Sequence, residues 1–214
     1  MVIFMIGSST TFPKTIAEYL SNAGHDVHLL GRDTLDYTKP AQMEKHFKTL
    51  PSPDIVVFNQ RVAGGEVSKY SRNNKVDMFY LDNFEEFKRI NDRNLTDSFY
   101  GKIAIYDILK DCKQFVFISS TITLHSDEYG FRHLAYRYLR ATEQQLMKCI
   151  NQEQNKTAYA LCPGGMDADP NKYAVATAKI INGELEDEHE YESLYGDVTL
   201  LSSISRKFLE KRKK

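Results

Sequence analysis

VIFMIGSSTTFPKTIAEYLSNAG, residues 2–24, carries the reading that decides the fold. Its first five residues form an unbroken apolar run ended by Gly7 and four hydroxyl residues, which is how a strand buried on both faces enters a loop. Pro13 then fits the first turn of a helix, Ile16, Ala17, Leu20 and Ala23 recur at helical spacing, and Gly24 supplies the stop. The same alternation continues outward. Residues 27–30 and 54–58 (DIVVF), 115–118 and 157–161 are further apolar strands, and helical patterns run over 15–23, 40–50, 81–109, 132–150 and 173–181. Five apolar strands separated by helices, with no tight hairpin signal between them, predict an α/β fold. The expected form is a Rossmann-like doubly wound parallel sheet in three α/β/α layers.

Composition narrows the class. The 214 residues are enough for one sizeable core, so a single domain over 1–214 is expected, with a basic tail at about 206–214. Apolar residues at 42% and charged residues at 27% match an ordinary globular chain. A formal charge of −1 provides no global field toward nucleic acid or an anionic membrane, so neither is expected as a partner. The apolar opening is too short for a spanning helix and has no signal-peptide flank. Cys112, Cys149 and Cys162 show neither disulfide nor zinc-site spacing, which fits a reducing cytoplasm and implies no metal site. The acidic run GELEDEHEYE (183–192) and the tail KFLEKRKK (207–214) read as solvated ends.

A parallel sheet of this kind takes ligands at the carboxyl ends of its strands, and its first strand-to-helix loop meets phosphates. Here that loop is GSSTTFPK, residues 7–14. Gly7 allows the sharp exit; Ser8, Ser9, Thr10 and Thr11 offer hydroxyls and N–H groups at the positive end of a helix, which suits an anion. The same residues also suit a plain hydroxyl-capped helix start with Pro13 near its first position. The loop alone supports both readings equally.

Several further stretches, in order from about residue 2 to 169, resemble the short-chain dehydrogenase/reductase family. GSSTTFP is similar to that family's TGxxxGxG turn with Gly7 kept and Thr11 and Pro13 where later glycines stand. LDYT (35–38) resembles LDVT, whose aspartate, here Asp36, sits near the adenine ring. DIVVFNQR (54–61) resembles DxLVNNAG with Asn59 kept, and NLTDSFY (94–100) resembles NxxGxF. FVFISS (115–120) looks like the strand ending at the active-site serine, and AYRYLRA (135–141) like the AYxxSKA stretch that carries the YxxxK pair. LCPGG (161–165) resembles the proline-glycine loop against the nicotinamide.

The resemblance implies a hydride-transfer site with Tyr136 as acid, Ser120 steadying the substrate oxygen, Asn94 alongside, and Arg140 in the place of the family's lysine. A fixed cation near the phenol is what brings a tyrosine with an ordinary pKa near ~10 into use at neutrality. Arginine supplies the charge but effectively never deprotonates, so it cannot take the lysine's part in a proton relay. Tyr129 with His133 offers a rival register that lies before the helical pattern begins. The cofactor-binding set is Gly7, Ser8, Ser9, Thr10, Phe12, Arg32, Asp36, Asn59, Pro163 and Gly164. Arg32, at the end of the second strand, can pair with a 2′-phosphate through its fork and favours NADP, whereas Asp33 beside it pulls toward NAD.

Two classes of function therefore stand. One is an NADP-dependent oxidoreductase acting on a small-molecule carbonyl or alcohol. The other is a catalytically impaired nucleotide-binding or regulatory protein with the same fold, suggested by the missing glycines and by Arg140. A Rossmann-like protein using another nucleotide is a third possibility. The helices over 81–109 and 132–150 form the dimer face in the family this resembles, so a homo-oligomer is expected.

Overall fold

The computed structural model describes residues 1–8, 10–60, 85, 88, 92, 95–119, 134–161 and 170–184, without the side chains of 97, 98, 134–139, 170, 172, 173 and 176. In chain order these hold strand β1 (Val2–Ile6), helix α1 (Thr11–Asn22), β2 (Asp26–Leu30), α2 (Pro40–Phe47) and β3 (Ile55–Phe58). A π-helical stretch, Leu95–Tyr100, then runs into α3 (Gly101–Ile108), followed by β4 (Gln114–Ile118), α4 (Leu134–Gln152), β5 (Thr157–Leu161) and α5 (Pro170–Asn182). Every strand pair is parallel and the order across the sheet is β2-β1-β3-β4-β5. The expected doubly wound α/β sheet is thus present.

Strand periodicity explains the layers. Successive side chains of a strand point to opposite faces, so a run buried throughout must be covered on both sides. Phe4, Ile6, Val56, Phe58, Phe115 and Phe117 pack on one face against Met43 and Phe47 of α2, Ile105 of α3, and Met147 and Ile150 of α4. Ile3, Met5, Val57, Val116 and Ile118 pack on the other against Phe12, Ile16 and Leu20 of α1 and Ala174, Ala178 and Ile181 of α5. Each such large side chain, once fully buried, contributes about 1.5–3 kcal/mol of transfer free energy.

Strand ends and the long helix shift by one or two residues from the sequence reading, and three helices differ in ways that have a local reason. α1 begins at Thr11, which makes Pro13 its third residue. α2 ends at Phe47, where backbone bonds from Thr49 to His46 and from Leu50 to Phe47 tighten the last turn. α5 begins at Pro170 instead of 173, because proline has no N–H to lose at a helix start.

Candidate functional site

Strand order reverses between β1 and β3, the point beside whose carboxyl strand ends sheets of this kind take their ligands. Gly7 turns the chain there with φ +96°. Its N–H donates to the Leu30 carbonyl at 2.7 Å, and a Cβ on it would lie 2.8 Å from the Asn59 carbonyl carbon and oxygen and from the Gln60 nitrogen. Asn59 closes the same corner: its N–H donates to the Ile6 carbonyl at 2.8 Å and its Nδ2 to the Gly7 carbonyl at 3.1 Å. The residue retained from the NNAG-like motif therefore clamps the ends of β1 and β3 together.

Thr10 is the residue preceding α1, with extended backbone, and its hydroxyl makes no cap hydrogen bond to the helix. That removes the support for a plain hydroxyl-capped start. No acidic residue lies in the first turn, so the positive end of the helix keeps its field. The Phe12 ring is buried beside Ile16 and Leu20, which leaves its backbone, and not its side chain, to the loop. Ser8 approaches from the same loop: a Cβ on Gly31 would lie 2.7 Å from the Ser8 hydroxyl and 2.7 Å from the Asp33 carboxylate. Gly7 and Gly31 thus let the exits of β1, β2 and β3 pack too closely for a side chain at either position, with the Ser8 hydroxyl and the Asp33 carboxylate against Gly31, beside a helix start that has no side-chain cap and so suits a phosphate-bearing cofactor.

Arg32 is exposed at the rim, and its charge reaches the buried Tyr37. Burial pushes the Tyr37 phenol up from its ordinary value, opposed by a hydrogen bond with the Gln60 side chain and by Arg32. Gly101 packs closely under Tyr37, where a Cβ would lie 3.0 Å from the ring. Asp36 is held at about 2 by the Thr38 hydroxyl (2.6 Å), the Lys39 ammonium (2.9 Å) and the Thr38 N–H (3.0 Å). It organises the approach to α2.

At the end of β4 a buried ionic cluster joins α3 and α4. Arg140 Nη1 donates to the Ile118 carbonyl at 3.0 Å and to both Glu143 oxygens at 3.0 and 2.9 Å. Lys102 Nζ, from α3, donates to the same carboxylate. All three are nearly inaccessible, at 5%, 2% and 1% exposure for Arg140, Glu143 and Lys102. Burial alone would raise the Glu143 carboxyl, but Arg140 and Lys102 hold it below the usual range. Burial pushes the Lys102 ammonium down to about 8, with Glu143 opposing. Ser119, whose N–H donates to the Leu161 carbonyl at 2.8 Å, is also buried, and its hydroxyl has no partner among the described residues.

Of the residues singled out in the sequence, Gly7, Ser8, Thr10, Asn59 and Arg32 gather at the ends of β1, β2 and β3, while Arg140 stands at the end of β4. Ser9, Asn94, Ser120, Pro163, Gly164 and the rival pair Tyr129 and His133 lie outside the described residues. Tyr136 lies on α4, four residues before Arg140 and seven before Glu143. Lys102 and Glu143 were missed. Their signal was present: Arg140 and Glu143 stand at helical spacing from the buried Met147 and Ile150, and Lys102 stands one turn from the buried Ile105. No group of residues suited to hold a metal ion, and no helix long and apolar enough to cross a membrane, occurs among the described residues.

No protein-family model matches this sequence, and no curated protein is significantly similar to it. Solved structures are similar in fold. Serine dehydrogenase from Escherichia coli superposes with a TM-score of 0.57 at 13% identity, over 83% of this chain and 89% of that one. A small-chain dehydrogenase in complex with NADPH gives 0.57 at 17% identity, over 100% and 91%. The 3-alpha-hydroxysteroid dehydrogenase from Pseudomonas sp. B-0831, complexed with NADH, gives 0.59 at 15% identity, over 85% and 88%. The chain has the Rossmann-like fold of the short-chain dehydrogenases/reductases.

Proposed function

We propose that this chain is an oxidoreductase resembling the short-chain dehydrogenases/reductases, which binds NADP and reduces a small carbonyl or oxidises an alcohol. The observation that carries the reading is the corner at Gly7: a tight turn, clamped by Asn59, that leads toward a helix start without a side-chain cap at the point where strand order reverses. Gly7, Ser8, Ser9, Thr10 and the Phe12 backbone would hold the pyrophosphate, Arg32 the 2′-phosphate, Asp36 the adenine side, and Pro163 and Gly164 the nicotinamide side. Asn59 contributes by fixing the corner. The nicotinamide, when bound, supplies or accepts the hydride. Tyr136 gives the substrate oxygen its proton, Ser120 and Asn94 orient that oxygen, and Arg140 supplies positive charge beside the phenol. The working form is a cytoplasmic homo-oligomer paired through the helices of the 81–109 and 132–150 stretches.

A second reading, a nucleotide-binding or regulatory protein without turnover, is favoured by one observation: Arg140 spends hydrogen bonds on Glu143 and the Ile118 carbonyl. Titration with NADPH and NADH, followed by nicotinamide fluorescence, tests the common ground of both. Saturable NADPH binding that Arg32→Ala weakens roughly tenfold or more, with NADH little affected, is expected from the loss of a charge-assisted fork. Binding of neither nucleotide would sink the oxidoreductase reading. A carbonyl-substrate screen on a protein that does bind then separates the two.

A further inference from the structure

Ser119 directly follows β4, and its N–H donates to the Leu161 carbonyl at 2.8 Å, so its backbone closes the ladder between β4 and β5 at their carboxyl ends. Any residue but proline could make that bond, so it does not account for a serine. The side chain is 4% exposed at the residue level, and its hydroxyl has no hydrogen-bond partner among the described residues. Buried hydroxyls are ordinarily bonded, because a donor taken out of water keeps its desolvation cost until a partner offsets it. Alanine would fill the same place with one oxygen fewer and no such cost, so the folded chain by itself gains nothing from the hydroxyl. A buried residue that breaks a local rule of stability marks a place where function outweighs it.

Its place in the sheet supplies the reason. β4 stands two strand spacings, about 10 Å, from β1, whose exit at Gly7 is the corner given above to the pyrophosphate. Arg32 and Asp36, given to the adenosine half, follow β2 on the opposite side of β1. The other half of a dinucleotide anchored at Gly7 would therefore run toward the exits of β3 and β4, where Ser119 has a hydrogen bond still to make. We propose, resting on the nucleotide-binding reading above, that Ser119 is a binding residue of the nucleotide site whose hydroxyl bonds the nicotinamide half. A hydroxyl both donates and accepts, so it suits the uncharged groups of that half, the ribose hydroxyls or the carboxamide. Ser119 thus weakens the unliganded fold slightly and strengthens the complex.

The test compares the full chain with Ser119→Ala in two measurements: thermal unfolding without ligand, and titration with NADPH, 2′-phospho-ADP-ribose and adenosine 2′,5′-bisphosphate. Without ligand, Ser119→Ala should melt no lower than the parent and up to about 4 °C higher, because it removes an unmade hydrogen bond. It should bind NADPH about five- to tenfold more weakly, the loss of one neutral hydrogen bond, and keep the bisphosphate, which lacks the nicotinamide half, within about twofold. An equal loss for 2′-phospho-ADP-ribose assigns the bond to the ribose; a loss confined to NADPH assigns it to the carboxamide. A lower melting temperature in the variant overturns the proposal, since the hydroxyl would then have its partner, or a buried water, within the fold. Unchanged NADPH affinity, or an equal loss for the bisphosphate, overturns it as well. A parent chain that binds none of the three ligands overturns the functional reading and this inference with it, a result recognised by the failure of the parent and not of the variant.

Discussion

Replacing Gly7 with alanine tests whether the corner between β1 and β3 is built as described. Two costs add. An L-residue held at φ +96° gives up about 1–2 kcal/mol relative to glycine. The new methyl also lies 2.8 Å from three backbone atoms of Asn59 and Gln60, and these cannot swing aside, because the Asn59 N–H is bonded to Ile6 and its side chain to the Gly7 carbonyl. Overpacking of that kind costs about 1–3 kcal/mol. The sum, about 2–5 kcal/mol, corresponds to a fall in Tm of roughly 5–15 °C for a chain of this size. Gly24 provides the internal control, with φ +87° and nothing within 4 Å of a built Cβ. Gly24→Ala should lose only the conformational part, about 1–2 kcal/mol. Urea unfolding of the three proteins measures both, and NADPH titration of Gly7→Ala should show binding lost beyond what the stability change explains. Equal destabilisation by the two substitutions would refute the steric argument, and with it the close packing of the β1 exit on the β3 exit at Gly7.

Three further outcomes are expected. Glu143→Gln leaves two buried cations without their carboxylate and should destabilise the chain by about 3–5 kcal/mol in urea unfolding. Because the folded carboxyl lies below its ordinary 4.5, the stability it confers is present above that value and lost as pH falls through the folded one, so parent and variant should converge only in acid. The Asp36 carboxyl should titrate by NMR with a midpoint of about 2, moving toward the ordinary 3.8 in Lys39→Ala and Thr38→Ala; a midpoint already at the ordinary value would contradict its bonds to Thr38 and Lys39. Once a substrate is in hand, Tyr136→Phe should lower turnover by about 10²–10⁴-fold with NADPH affinity within about twofold, and retained turnover would remove Tyr136 from the acid role.

The sequence by itself determined the layered architecture. Unbroken apolar runs at 2–6, 55–58 and 115–118 can be buried only if both faces of their sheet are covered, and helices at 3.6-residue spacing between them provide the cover, so fold class follows from periodicity without any knowledge of contacts. Gly7 was legible for a similar reason, since an apolar strand that must turn abruptly into a helix calls for φ that other residues resist. What Asn59 does was not legible. The motif suggested a residue facing a ligand, whereas its amide holds two strand ends together, a role that depends on which strands become neighbours. The ionic cluster lay still further beyond the sequence. Lys102 and Glu143 are 41 positions apart, and a charged residue in an apolar stripe signals only that some partner must be found; packing of α3 on α4 decided which, and brought both to Arg140. Local periodicity fixes the faces of strands and helices, but burial makes ionic partners obligatory without naming them, and only the tertiary arrangement brings those partners within a hydrogen bond of each other.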